Sequence, residues 1–180
     1  MRSLNQTEVS DLKNDFTTNG WCKFANLFDR SLLSEIALEY KNFLRDEAPY
    51  LTGRDINYAD RKSGVVNSIH RLATKPGQYF WELLYSEYFI NLSSLFLTDT
   101  AVPRKAEMFA KPEGIGMPSP IHQDNYYWCL TPYTVGTGLT IWIALDECNS
   151  TNGGLTYLNG SQNTGIIPHV TSYAPGSSQT

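Results

Sequence analysis

Residues 138–160 read GLTIWIALDECNSTNGGLTYLNG, and this stretch decides the fold class. Leu139, Ile141, Ile143 and Leu145 alternate with Thr140, Trp142 and Ala144, a period-two pattern rich in β-branched and aromatic residues that predicts a strand. Asn152-Gly153-Gly154 supplies a hairpin turn, Leu155 to Leu158 is the returning strand, and Asn159-Gly160 turns the chain again. Upstream the period changes. Val9, Leu12 and Phe16 recur at helical spacing behind a Thr7 cap, and Asn19-Gly20 is a left-handed stop. A short strand is expected at Trp21 to Phe24. Ser31 then caps a second helix whose Leu32, Leu33, Ile36, Tyr40, Phe43 and Leu44 form one apolar face. Residues 45–65 carry neither period and read as a surface loop. A third helix is expected from Tyr79 to Leu97, after Pro76-Gly77, and the Ser/Gly-rich tail 172–180 reads as unstructured. Helices first and strands afterwards predict an antiparallel sandwich or barrel with helices packed outside, a mainly β architecture of the α+β class.

The chain of 180 residues suits one domain, and 41% hydrophobic content with 13% aromatic provides material for a core. The net charge is −4 and is distributed unevenly. All 14 Lys and Arg lie at or before Lys111, so from Pro112 onward the only charged side chains are Glu113, Asp124, Asp146 and Glu147. No basic run could track a phosphate backbone, which argues against nucleic acid as a partner. Neither a secretory h-region nor a stretch of roughly 18 apolar residues is present, so no membrane span and a cytoplasmic location are expected. Cys22, Cys129 and Cys148 show no zinc spacing and read as reduced, structural thiols. Nothing in the sequence points to a protein partner.

The three histidines are His70, His122 and His169. In His122-Gln123-Asp124 an imidazole and a carboxylate sit at i and i+2, and on an extended strand these point to the same side. That is two thirds of a 2-His-1-carboxylate facial triad, which holds Fe(II) on one face and leaves the opposite face open. Three histidines and ordinary acid content produce an H-x-D by chance often enough that the motif needs context.

The context is the stretch KPEGIGMPSPIHQDNYYW followed by GLTIWIALDECNSTNGGLTYLNGSQNTGIIPH, which resembles the phytanoyl-CoA dioxygenase family of Fe(II)- and 2-oxoglutarate-dependent oxygenases. The matching elements are His122 to Asp124, Trp142 to Leu145, Asp146, Asn152-Gly153, Gly160-Ser161 and Pro168-His169, and FTTNGWCKFANLF is similar to the family's N-terminal pattern. The resemblance implies a double-stranded β-helix, or jelly roll, over 101–180 with a helical part over 1–100. It implies that His122 and Asp124 ligate Fe(II), that Gln123 and Trp142 line a 2-oxoglutarate pocket, and that O2 is the oxidant. It further implies hydroxylation of a small organic or lipid-like molecule. Tyr126, Tyr127 and Trp128 suit either packing or a substrate wall.

The sequence departs from the family pattern toward its end. The family's distal histidine and the arginine for the far carboxylate of 2-oxoglutarate would fall beyond Thr180, so the jelly roll is expected to be incomplete at its C-terminus. His169 matches the histidine of an L-P-H loop rather than the distal ligand, His70 matches a position outside the triad, and Gln162 replaces the histidine of G-S-H. A dicarboxylate needs a cation, and none follows Lys111; Arg61 and Lys62 are the candidates from the N-terminal half, on a loop whose position favours solvent exposure. The competing expectation is a jelly-roll binding module, or an inactive fragment, without catalytic iron.

Overall fold

The computed structural model describes residues 2–130 and 136–170. The tail 172–180 lies outside them. The first helix, α1 (Gln6–Asn19), starts not at Thr7 but at Asn5, whose side chain accepts from the Glu8 N–H while Glu8 returns a bond to the Asn5 N–H. This reciprocal box satisfies two N–H groups that a helix start leaves without partners. Gly20 ends α1 at φ 84°, the left-handed stop the sequence predicts, with its N–H on Phe16. Residues 21–24 form no strand, and Trp21 instead stacks on Tyr157 and donates to Asn159. In α2 (Arg30–Asp46) the cap is Asp29, to which both the Leu32 N–H and the Ser31 hydroxyl donate, rather than Ser31. Ile36 and Phe43 of its predicted apolar face are buried.

The expected loop over 45–65 is mostly ordered structure. It holds the end of α2, a single 3-10 turn at Ala48–Tyr50, β1 (Ile56–Asp60) and the first residue of β2 (Val65–Ile69). β1 and β2 pair antiparallel with Ile56 opposite Ile69 and Asn57 opposite Ser68, and β3 (Met108–Phe109) adds to the far side of β2. The strands evade a simple alternation because they are bulged around Tyr58 and carry polar residues that bond across the ladder, Asn57 to Ser68 at 3.1 Å. The expected helix 79–97 is two helices, α3 (Tyr79–Leu84) and α4 (Glu87–Ser94), broken where Ser86 turns its hydroxyl onto the Leu83 carbonyl and accepts from the Phe89 N–H.

One core cluster joins Ile36 and Phe43 of α2 to Ile56, Ile69, Leu72 and Phe80, and a second joins Leu27 to Phe89 and Leu92 of α4. Leu145 packs on the first and Ile143 on the second, so two odd-numbered side chains of the alternating segment turn inward, whereas Ile141 is exposed. Yet residues 138–145 and 155–158 belong to no β-ladder among the described residues. Alternation specifies which face a segment buries, whereas a ladder also needs a neighbouring backbone at about 4.8 Å. The observed architecture is therefore helices with a small three-stranded antiparallel sheet. The turn at 150–153 and the turn at Asn159-Gly160 are present. No helix among the described residues is long and apolar enough to cross a membrane.

Candidate metal centre

His122 and Gln123 lead into the short helix α5 (Asp124–Trp128), so the motif lies on a segment that is extended at Gln123 (φ −116°, ψ 121°) and helical from Asp124, not on a sheet strand. One extended residue is enough to bring its neighbours' side chains together. His122 Nε2 stands 3.3 Å from Asp124 Oδ1. The His122 Nδ1–H donates to the Pro120 carbonyl at 2.9 Å, which sets the tautomer and leaves Nε2 as the free ring nitrogen. In the neutral ring a lone pair would then face a carboxylate oxygen, a repulsive arrangement that a proton on Nε2 or a metal ion between the two removes. The electrostatics agree. The hydrogen bond to Asp124 raises the His122 pKa above its ordinary value, against the opposing effect of burial. The same bond holds Asp124 below the usual carboxylate range, opposed by burial and helped by Thr140 and the charge of Lys105.

The second carboxylate oxygen is occupied as well. Thr140 Oγ1 donates to Asp124 Oδ2 at 2.8 Å, so Oδ1 is the oxygen turned toward His122. Tyr157, stacked on Trp21, lies close enough for Asp124 to raise its phenol pKa, after the larger effect of burial. Tyr127 stands edge-on to His122 with ring centroids 6.1 Å apart. Thr140, Tyr157 and Lys105 were not singled out from the sequence. Thr140 had a usable signal, since it shares its side of the alternating segment with Trp142 and lies opposite Leu139 and Ile143.

A metal–ligand backing of this kind, with the far ring nitrogen held by a carbonyl and the carboxylate held by a hydroxyl, is how proteins orient metal ligands. The donor set is one imidazole nitrogen and one carboxylate oxygen, both suited to Fe(II). Their 3.3 Å separation lets one ion touch both, because bonds to such ligands are about 2.0–2.2 Å. Among the described residues no group of three or more His, Cys, Asp and Glu forms a site that could hold a metal ion. Neither remaining histidine has a free nitrogen. His169 donates from Nδ1 to Ile167 O at 2.7 Å and accepts at Nε2 from the Gln123 N–H at 3.0 Å. His70 pairs through Nδ1 with Glu107 at 2.7 Å, while Asn57 and Ser68 approach its Nε2 at 3.2 and 3.1 Å. Although Ser68, His70 and Glu107 form a hydroxyl–imidazole–carboxylate chain, Ser68 is 0% exposed, and the chain serves to satisfy polar groups inside the sheet.

The other expected site residues fall as follows. Gln123 spends its amide on the backbone of the downstream loop, donating to Gly165 O at 2.9 Å and accepting from Ile167 N–H at 2.8 Å. The Trp142 indole is 43% exposed. Arg61 lies over the Tyr58 ring at 5.4 Å, and Lys62 is exposed. Cys129 and Cys148 are exposed rather than structural, and only Cys22 is half-buried, with its thiol pushed up to about 11 by burial and, secondarily, by Asp15. A groove of about 370 Å3 between α2 and Ala144–Glu147 does not include the His122–Asp124 pair.

A family model described as phytanoyl-CoA dioxygenase (PhyH) matches residues 16–179. The chain belongs to the phytanoyl-CoA dioxygenase family. Curated proteins and solved structures gave no match. Phytanoyl-CoA dioxygenases are oxygenases that depend on Fe(II) and 2-oxoglutarate and act on small molecules, so membership makes this chain oxygenase-like at the level of family.

Proposed function

We propose that the protein is an Fe(II)- and 2-oxoglutarate-dependent dioxygenase that hydroxylates a small organic or lipid-like molecule in the cytoplasm, built on the jelly roll of its family. The observation that carries this reading is the convergence of His122 Nε2 and Asp124 Oδ1, each backed by a second hydrogen bond, within a chain that matches the family over residues 16–179. His122 and Asp124 are the groups that would hold the metal, and when bound it would supply oxygen activation coupled to oxidation of 2-oxoglutarate. The chain's own residues prepare the place. Pro120 O keeps the His122 Nδ1 protonated so that Nε2 faces Asp124, and Thr140 keeps Oδ1 on the His122 side. The bonds from His122 and Thr140, against the opposing effect of burial, keep the Asp124 carboxyl ionised at neutral pH, with a charge that draws a cation. Gln123 and Trp142 are assigned to 2-oxoglutarate binding on the family resemblance; Trp142 is exposed, and the Gln123 side chain holds the downstream loop. Tyr126 and Tyr127, both exposed beside the ligand pair, offer ring surface to an apolar substrate.

The test is anaerobic Fe(II) titration of the chain and of His122→Ala and Asp124→Ala. Each substitution removes one of two protein ligands, so metal retention should be lost in both. Undiminished binding by either variant would refute the assignment of that residue.

A further inference from the structure

The residue between the two ligands is held from 46 positions downstream. Gln123 N–H, its side-chain NH2 and its side-chain oxygen each bond to the segment Gly165–His169, at 3.0, 2.9 and 2.8 Å. His169 is the acceptor for the backbone N–H, and it is set for that task. Its Nδ1–H is committed to the Ile167 carbonyl, which leaves Nε2 with a lone pair and no proton to donate. Its ring is fixed by stacking on Tyr126, centroids 4.0 Å apart and planes at 13°, and Tyr127 meets it edge-on at 5.9 Å. Tyr127 also stands edge-on to His122, so the same aromatic group touches both histidines.

The consequence follows from the backbone. Gln123 is the cap residue of α5, so its N–H has no partner within the helix. Its φ and ψ set how the backbone of His122 stands relative to that of Asp124, the first helical residue, while the Pro120 and Thr140 bonds hold the two side chains. A bond to this N–H therefore fixes the angle between two ligands that it does not touch. We propose that His169 is a positioning residue for the metal site, one that sets the mutual orientation of His122 and Asp124 by holding the Gln123 N–H and does not itself bind the ion. The inference rests on the reading of His122 and Asp124 as ligands, and it gives the Ile167–His169 loop a role in metal affinity.

The experiment uses the full chain and Co(II) alone, with affinity read by titration and ligand geometry by the visible absorption of bound Co(II). His169→Phe preserves a ring to stack on Tyr126 but offers no acceptor, whereas His169→Gln offers an acceptor without the ring. Metal-free thermal unfolding of each variant reports folding separately. The expected result is Co(II) affinity about 10- to 100-fold weaker in His169→Phe with an altered spectrum, and recovery to within roughly threefold of the parent in His169→Gln. Affinity and spectrum unchanged in a folded His169→Phe would overturn the inference. If His169→Phe does not fold, His169→Gln decides, since a folded Gln variant as weak as about tenfold below the parent shows that the acceptor is not what matters. A His122→Ala arm separates the two readings. Parent affinity that does not depend on His122 refutes the ligand assignment itself, while His122-dependent affinity indifferent to residue 169 refutes only the positioning role.

Discussion

Replacing Thr140 with Val removes one hydroxyl and little else. In the parent that hydroxyl donates to Asp124 Oδ2 at 2.8 Å, a charge-assisted bond of a kind that contributes about 1.5–3 kcal/mol when shielded from water. Here Thr140 is exposed and the Asp124 side chain is 43% exposed, so water competes for the carboxylate and a contribution of about 0.5–1 kcal/mol to folding stability is the appropriate scale. The effect on metal binding should be larger. Without the hydroxyl the carboxylate is free to rotate, and Oδ1 no longer faces His122 by default, so affinity should fall about tenfold, the lower end of what losing such a backing group costs. Two measurements on the same protein check this: urea unfolding of the metal-free chain, and Co(II) titration. Thr140→Ser keeps the donor and should stay near the parent in both. Co(II) affinity for Thr140→Val within about twofold of the parent, with stability also unchanged, would show that the hydroxyl does not orient Asp124.

Two further outcomes test the scaffold behind the site. Ile69 is fully buried at the junction of β1, β2 and β3, so Ile69→Ala should destabilise by about 2–5 kcal/mol in chemical denaturation, and a loss below about 1 kcal/mol would contradict its place in the core. Burial raises the Glu107 pKa, but bonds from His70 and Lys105 outweigh it and hold the group below its ordinary 4.5. A depressed folded pKa stabilises fully above that ordinary value and is lost as pH falls through the lower folded value. Glu107→Gln should therefore be less stable than the parent at pH 7, with the gap closing as pH drops below 4.5. A gap that stays constant down to acid unfolding would show that the carboxylate's charge is not what the cluster uses.

The apolar face of α2, the glycine stop of α1 and the turns at 150–153 and 159–160 were legible because each depends on residues within a few positions of one another. The cap errors were local too, and their signals were present: Asn5 with Glu8, and Asp29 with Leu32, outcompete Thr7 and Ser31 because their oxygens reach the N–H groups three residues on. β1 and β2 were hidden because Asn57 and Ser68 break the alternation, and only pairing across the sheet makes it tolerable to bury Ser68 and half-bury Asn57. At the site, the sequence by itself determined which two side chains meet, since i, i+2 spacing around one extended residue is geometry that no distant contact is needed to create. It also determined the family, through ordered motifs that survive without any structure. What only the tertiary structure decided is everything that holds the pair in place. Thr140 and the 165–169 loop act on Asp124 and Gln123 through hydrogen bonds that span 16 and 46 residues, and a bond of that reach depends on how the chain packs rather than on the residues at either end.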